Sequence, residues 1–278
     1  MDVDVDADME VGSLNLYVKE SGNEDASRMM VFLHGGGVSG WMWNKQVSFF
    51  KDSWCLVPDL PGHGRSPVEH GSFTIQGTAE QLCELISEKA DGREVVVVGF
   101  SLGAQILVDM LCRNPDLIHY AVVNSALLRP MPAALRMIAP SVRLSFPLMR
   151  RRWFSKLQAR TLYVGEDDFE QYYAESLRMN RELLVSVLTE NMSYSLSPKI
   201  AESHAKLLVT VGEKERGIMR KSAEDLVKCN SGAAGIVFPG VGHGIPLASP
   251  ELFNHTVDGW IKTGAVSSDV NLIRANPR

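Results

Sequence analysis

The sequence predicts an α/β protein in which a mostly parallel sheet is covered by helices on both faces and interrupted by a helical block. Three observations carry that expectation. Short runs rich in Val and other apolar residues alternate with stretches of helical periodicity, the pattern of strands buried on both sides. Several of those runs end in glycine-bearing turns. The alternation lapses from Leu127 to about Pro198 and then resumes.

In chain order, Met29 to Leu33 reads as a buried strand entering the turn His34, Gly35, Gly36 and Gly37. Trp54 to Pro58 is a second such run, followed by the turn Asp59 to Ser66. Ile75, Ala79, Leu82, Leu85 and Ile86 recur at helical spacing, which predicts a helix over Ser72 to Ala90 before the strand Val95 to Val98. Gly99 to Gly103 leads into a helix marked by Ile106, Leu107, Met110 and Leu111 and stopped at Asn114 and Pro115. Tyr120 to Val123 is the next strand. After the break come a strand over Lys206 to Val211, a helix over Ser222 to Cys229, a strand over Gly235 to Phe238 and a helix over Pro250 to Lys262. The polar tail after Thr263 is expected to pack loosely. The division expected is therefore a catalytic domain from residues 1–126 and 199–278, with 127–198 as an inserted helical lid.

Composition limits the function classes. The net charge of −5 argues against a general polyanion binder, so no nucleic-acid partner is expected. Cys55, Cys83, Cys112 and Cys229 are widely spaced, without a C-x-x-C pair or a histidine at ligand spacing, which reads as free thiols and no metal site. Met1 to Glu10 lacks a basic n-region and an apolar h-region, and no apolar run approaches the roughly 18 residues of a membrane span. A cytoplasmic protein without a stable membrane anchor is expected, as a monomer or homodimer.

The chemistry centres on Gly99, Phe100, Ser101, Leu102 and Gly103. This is G-x-S-x-G after a Val strand and before a helix, the context of a nucleophile elbow. A tight turn needs small neighbours, which Gly99, Gly103 and Ala104 provide. A serine hydroxyl is a poor nucleophile at neutral pH and needs a base, and the chain order in this architecture is Ser, acid, His. His243 fits, in a glycine-rich loop directly after the last predicted strand. Glu215, three residues past Gly212 at a strand end, is the chosen acid, with Glu213 and Asp225 as competitors. Leu102 and Gly36 are the candidate N–H donors to a developing oxyanion. His34 and His63 read as turn residues, and His70, His119, His204 and His255 have no motif around them.

These motifs resemble the α/β-hydrolase superfamily: HGGG at 34–37, PDLPGHGRS at 58–66, GFSLGA at 99–104, GEKE at 212–215 and PGVGHG at 239–244. The resemblance covers roughly residues 10–125 and 198–262. It implies a doubly wound sheet with a first antiparallel hairpin, for which Glu10 to Ser21 is the candidate, and a lid where the pattern breaks. It further implies Ser101 as nucleophile, His243 as base, and a structural role for PGHGRS. Family members commonly carry Asp where this chain has Glu215, and the alternative acid position after the preceding strand offers only Asn124. Gly37, Trp41, Phe100, Leu128 and Met131 are the candidate substrate contacts. The expected activity is cofactor-independent hydrolysis of a small carboxylic ester, thioester or lactone through an acyl-enzyme. A lyase or carbon–carbon hydrolase using the same triad, and a non-catalytic ligand receptor, are the rivals.

The break is also distinguished by charge. From Ala126 to Gly165 the chain holds Arg129, Arg136, Arg143, Arg150, Arg151, Arg152, Lys156 and Arg160 and no carboxylate. Four of the arginines recur every seven residues, yet Pro130, Pro132, Pro140 and Pro147 predict short, broken helices. One reading puts solvated arginines outside and Leu, Met, Phe and Trp toward a pocket. The other lets this basic amphipathic block steer an anionic substrate or touch an anionic membrane surface.

Overall fold

The computed structural model describes residues 16–68, 73–264, 266 and 270–273. The first elements are β1 (Val18–Gly22), β2 (Arg28–Leu33), α1 (Asn44–Phe49) and β3 (Trp54–Pro58), followed by α2 (Ile75–Ala90) and β4 (Glu94–Phe100). Next come α3 (Leu102–Arg113) and β5 (Tyr120–Asn124), and then four helices without a strand: α4 (Pro132–Met149), α5 (Arg152–Thr161), α6 (Glu166–Arg178) and α7 (Arg181–Ser193). The strand order resumes with β6 (Lys206–Gly212), α8 (Gly217–Cys229), β7 (Ala233–Phe238), α9 (Ile245–Ala248), α10 (Pro250–Thr263) and β8 (Asn271–Leu272).

The eight strands form one sheet in the order β1-β3-β2-β4-β5-β6-β7-β8, parallel except at its two edges. Alternate residues of each strand feed opposite faces. Met29, Val31 and Leu33 of β2 join Val95 and Val97 of β4 under α2, α3 and α8. Met30, Phe32, Val96 and Val98 face the other way, against Phe253, Val257 and Trp260 of α10. Both faces are thus apolar, which is why these strands read as continuous hydrophobic runs. A fully buried side chain such as Phe253 contributes roughly 1.5–3 kcal/mol.

Two expectations need correction, and another falls partly outside the described residues. The candidate hairpin Glu10 to Ser21 lies partly outside the described residues, at 10–15; its described end falls in β1, which pairs antiparallel with β3. In the tail, Val270 is buried and Asn271 and Leu272 pair antiparallel with β7, because an edge strand needs only a few backbone bonds to dock.

The second correction concerns α4, which runs unbroken through Pro140 and Pro147. Both prolines are exposed, so the Arg136 and Arg143 carbonyls that lose an N–H partner lie on the solvated side, where water can satisfy them. The apolar residues of this block do not all turn inward either. Ile138 and Val142 are buried, whereas Met137, Leu144, Leu148, Trp153 and Leu157 are exposed.

Candidate active site

The end of β4 is a tight turn. Ser101 has φ 53° and ψ −109°, a backbone conformation that costs an L-residue energy, and it sits between the strand and α3. The turn is held by Ser101 N–H donating to the Asn124 carbonyl at 2.9 Å and Gly103 N–H to the His34 carbonyl at 3.1 Å. A Cβ on Gly103 would stand 2.3 Å from the Leu33 carbonyl oxygen, so only glycine fits there. Gly103 thereby lets the start of α3 close onto the glycine turn after β2.

Ser101 Oγ lies 3.0 Å from His243 Nε2, and His243 Nδ1 lies 2.8 Å from Glu215 Oε2. The Glu215 side chain is 2% exposed and that of His243 30%. The second Glu215 oxygen accepts from Ser125 Oγ at 2.6 Å and Gly212 N–H at 2.9 Å. Burial alone would raise the Glu215 carboxyl, but the hydrogen bond and charge of His243, with the Ser125 and Gly212 donors, outweigh it and hold the carboxyl below its usual value. A carboxylate at Nδ1 fixes the tautomer that leaves Nε2 free to accept the serine proton.

The loop carrying His243 is fixed from two sides. A Cβ on Gly212 would meet the Gly242 carbonyl oxygen at 2.4 Å, and Lys214 N–H donates to the Val241 carbonyl at 2.8 Å. From the turn between α5 and α6, Tyr163 Oη accepts from Gly242 N–H at 3.0 Å. The Phe100 ring lies 4.9 Å from the imidazole.

The alternative acids are engaged elsewhere. Glu213 accepts from Gly240 N–H at 2.8 Å, and Asp225 holds Arg129 through two bonds of 2.5 and 2.8 Å. Asn124 donates to Thr210 Oγ1 at 2.6 Å. The extra methylene of Glu215 is accommodated because its carboxylate folds back onto the N–H of Gly212.

A cavity of about 690 Å³ opens at Ser101, within the range of small-molecule sites. Gly36, Gly37, Ser101 and Leu102 line it. A Cβ on Gly36 would stand 3.6 Å from Leu102 Cδ2 and 3.9 Å from its Cβ, so Gly36 packs against the Leu102 side chain. Among the described residues, neither the Gly36 nor the Leu102 N–H donates to a protein acceptor.

Trp41, Phe100, Leu128 and Met131 do not line the cavity. Leu128 is buried in the core with its N–H on Ser222 Oγ, and Met131 uses its backbone N–H on the Met192 carbonyl. Trp41 stands behind the wall, its Nε1 donating to Glu175 Oε2 at 2.9 Å, while Ser39 Oγ donates to Glu175 Oε1 at 2.9 Å. Glu175 itself lines the cavity. Most of the remaining wall comes from residues that sequence reasoning missed, among them Leu183, Leu184, Val187 and Leu188 of α7. Their spacing was a readable signal for one face of a helix.

His34 and His63 are buried, and burial lowers them to about 4 and about 3. His34 Nδ1 faces the Gly35 carbonyl oxygen at 2.8 Å, and its Nε2 accepts from Leu60 N–H at 2.8 Å, tying the two turns together. Asp59 adds bonds from Gly40 and Arg65 N–H at 2.7 and 2.8 Å. No group of three or more His, Cys, Asp or Glu side chains among the described residues is arranged to hold a metal ion.

The chain belongs to the alpha/beta hydrolase family, whose model matches residues 30–256. An esterase of Mycobacterium tuberculosis is 36% identical over 95 residues, covering 34% of this chain and 31% of that protein. A lipase of the same organism, LipV, is 31% identical over 103 residues, covering 37% and 38%. The matched stretches thus span about a third of these curated relatives. Among solved structures, an esterase from Exiguobacterium antarcticum superposes with TM-score 0.76 at 17% identity, over 89% of this chain and 96% of that one. An enol-lactonase from Burkholderia xenovorans LB400 gives 0.75 at 18%, with the same coverage. At such identity these structures are similar in fold. No helix among the described residues is long and apolar enough to cross a membrane.

Proposed function

We propose that the protein is a serine hydrolase that cleaves a small carboxylic ester, thioester or lactone through an acyl-enzyme. The observation that carries this reading is the unbroken hydrogen-bond chain from Ser101 through His243 to Glu215, with Ser101 opening into the cavity. Similarity to esterases, a lipase and an enol-lactonase supports the substrate class.

In this reading His243 Nε2 takes the Ser101 proton as Oγ bonds to the substrate's carbonyl carbon. The negative oxygen that results is met by the Leu102 and Gly36 N–H groups. Collapse of the intermediate breaks the bond to the leaving oxygen or sulfur, which receives the proton from His243. Water then gives a proton to the same nitrogen, attacks the acyl carbon and releases the acid, and the proton returns to Ser101 Oγ. Glu215 stays ionised and holds the imidazole throughout.

Residues 127–198 act as the lid over the catalytic domain formed by 1–126 and 199–278. The walls contributed by α6 and α7, and the Tyr163 contact to the His243 loop, support that division. A series of activated esters varied in acyl length tests the reading. Hydrolysis that saturates, and that falls on the order of 10⁶-fold in Ser101→Ala, is expected. Absence of turnover across esters, thioesters and lactones by folded protein contradicts it.

A further inference from the structure

The helices α4 and α5 present a surface that the proposed catalysis does not use. Along α4, Arg136, Pro140, Arg143, Pro147 and Arg150 follow one another at steps of three and four residues, so they share one side of the helix. Met137 and Leu144 lie beside Arg136 and Arg143, and Leu148 follows one turn later. All three are exposed, Leu144 by 80% and Met137 by 58%. In α5 the pattern repeats: Trp153 is 63% and Leu157 56% exposed, interleaved with exposed Lys156 and Arg160.

Most of the charge here has no ion-pair partner among the described residues. Arg129 pairs with Asp225 and Arg152 with Glu170. Among the described residues, no carboxylate lies within ion-pair distance of Arg136, Arg143, Arg150, Arg151 or Arg160. Exposed large apolar side chains interleaved with cations are the composition of an interfacial helix.

We propose that this face docks reversibly on an anionic lipid bilayer. The arginines meet headgroup phosphates while Leu144, Leu148, Trp153 and Leu157 enter the headgroup boundary. Charge complementarity selects that occupant. A second copy using the same face would set arginine against arginine across a two-fold axis, and a free phosphate would neutralise the cations but leave the apolar side chains in water. The inner sides of the same helices reach the cavity through Met149, Gln158 and Thr161. Docking would therefore bring the bilayer close to the cavity wall. It stands whether or not the esterase reading does.

Trp153 is the natural reporter, because Trp41, Trp43, Trp54 and Trp260 are buried. Full-length protein is titrated with vesicles of phosphatidylglycerol and, separately, of phosphatidylcholine, following tryptophan emission, co-sedimentation and quenching by brominated acyl chains. Each basic side chain close to an anionic surface contributes about fivefold in partitioning. Arg136→Gln, Arg143→Gln and Arg150→Gln together should thus weaken binding on the order of 100-fold, with the melting temperature unchanged. Leu144→Ser with Leu157→Ser should also weaken it, and Trp153→Phe should remove the quenching while retaining binding. Three outcomes overturn the proposal: no partitioning into anionic vesicles, equal binding to both lipids, or a Trp153 blue shift that follows protein concentration without vesicles, which marks self-association.

Discussion

Ser125 Oγ donates to Glu215 Oε1 at 2.6 Å, on the carboxylate whose other oxygen meets His243. Ser125 has φ 56° and follows β5, the strand that also supplies the carbonyl holding Ser101 N–H. One strand end thus positions both the carboxylate and the serine. Removing the hydroxyl in Ser125→Ala should cost about 1.5–3 kcal/mol, the range for a hydrogen bond to a charged group. A positioning loss of about 1.4 kcal/mol would lower kcat roughly tenfold, with KM little changed. An unchanged kcat would separate Ser125 from the reaction.

The same carboxylate gives stability a defined pH dependence. Its folded value lies below the ordinary 4.5, so the folded state binds fewer protons there than the unfolded chain. The stabilisation is therefore full above pH 4.5 and is lost as pH falls through the lowered folded value. Ser125→Ala moves that folded value back up. Urea unfolding should show a deficit for the variant at neutral pH that shrinks as the solution is acidified below 4.5. A deficit constant with pH would contradict the linkage.

Crowding at the elbow predicts a contrast between two glycines. Gly103→Ala would put a methyl 2.3 Å from the Leu33 carbonyl oxygen and should destabilise by about 1–3 kcal/mol while disabling catalysis. Gly259 lies in α10, where an added Cβ would meet nothing within 4 Å beyond the helix's own backbone, so Gly259→Ala should stabilise by about 0.5–1 kcal/mol. Thermal melts of the pair read the difference, and equal shifts would mean the close approach at Gly103 is not limiting.

Glu175 ties α6 to Ser39 and Trp41 beside the glycine turn. Glu175→Ala removes both acceptors and should raise KM more than it lowers kcat, because it loosens a cavity wall without touching Ser101. Glu175→Gln keeps one carbonyl acceptor and should fall between. Steady-state kinetics on one activated ester decides it, and a pure kcat effect would place Glu175 in the chemistry instead.

How much of this was legible in the sequence depends on how local each signal is. The strands were readable because both sheet faces are apolar, and the elbow because Ser101 and its glycines are contiguous. Glu215 was reachable from its distance to a strand end. The pairing of β1 with β3 and the docking of Asn271 and Leu272 were not, since both depend on pairing with distant strands. The prolines of α4 misled because helix propensity assumes a carbonyl left unpaired is costly, and here it faces water. Glu175 carried no motif at all; its role arises from meeting residues more than 130 positions away.

The proposed catalysis requires a nucleophilic Ser101, and intact-mass analysis after treatment with a fluorophosphonate probe tests that most directly. One adduct per chain is predicted, mapped to the peptide containing Ser101, absent in Ser101→Ala and formed far more slowly in His243→Ala. Folded protein that takes up no probe, or that is labelled at another residue, would contradict it.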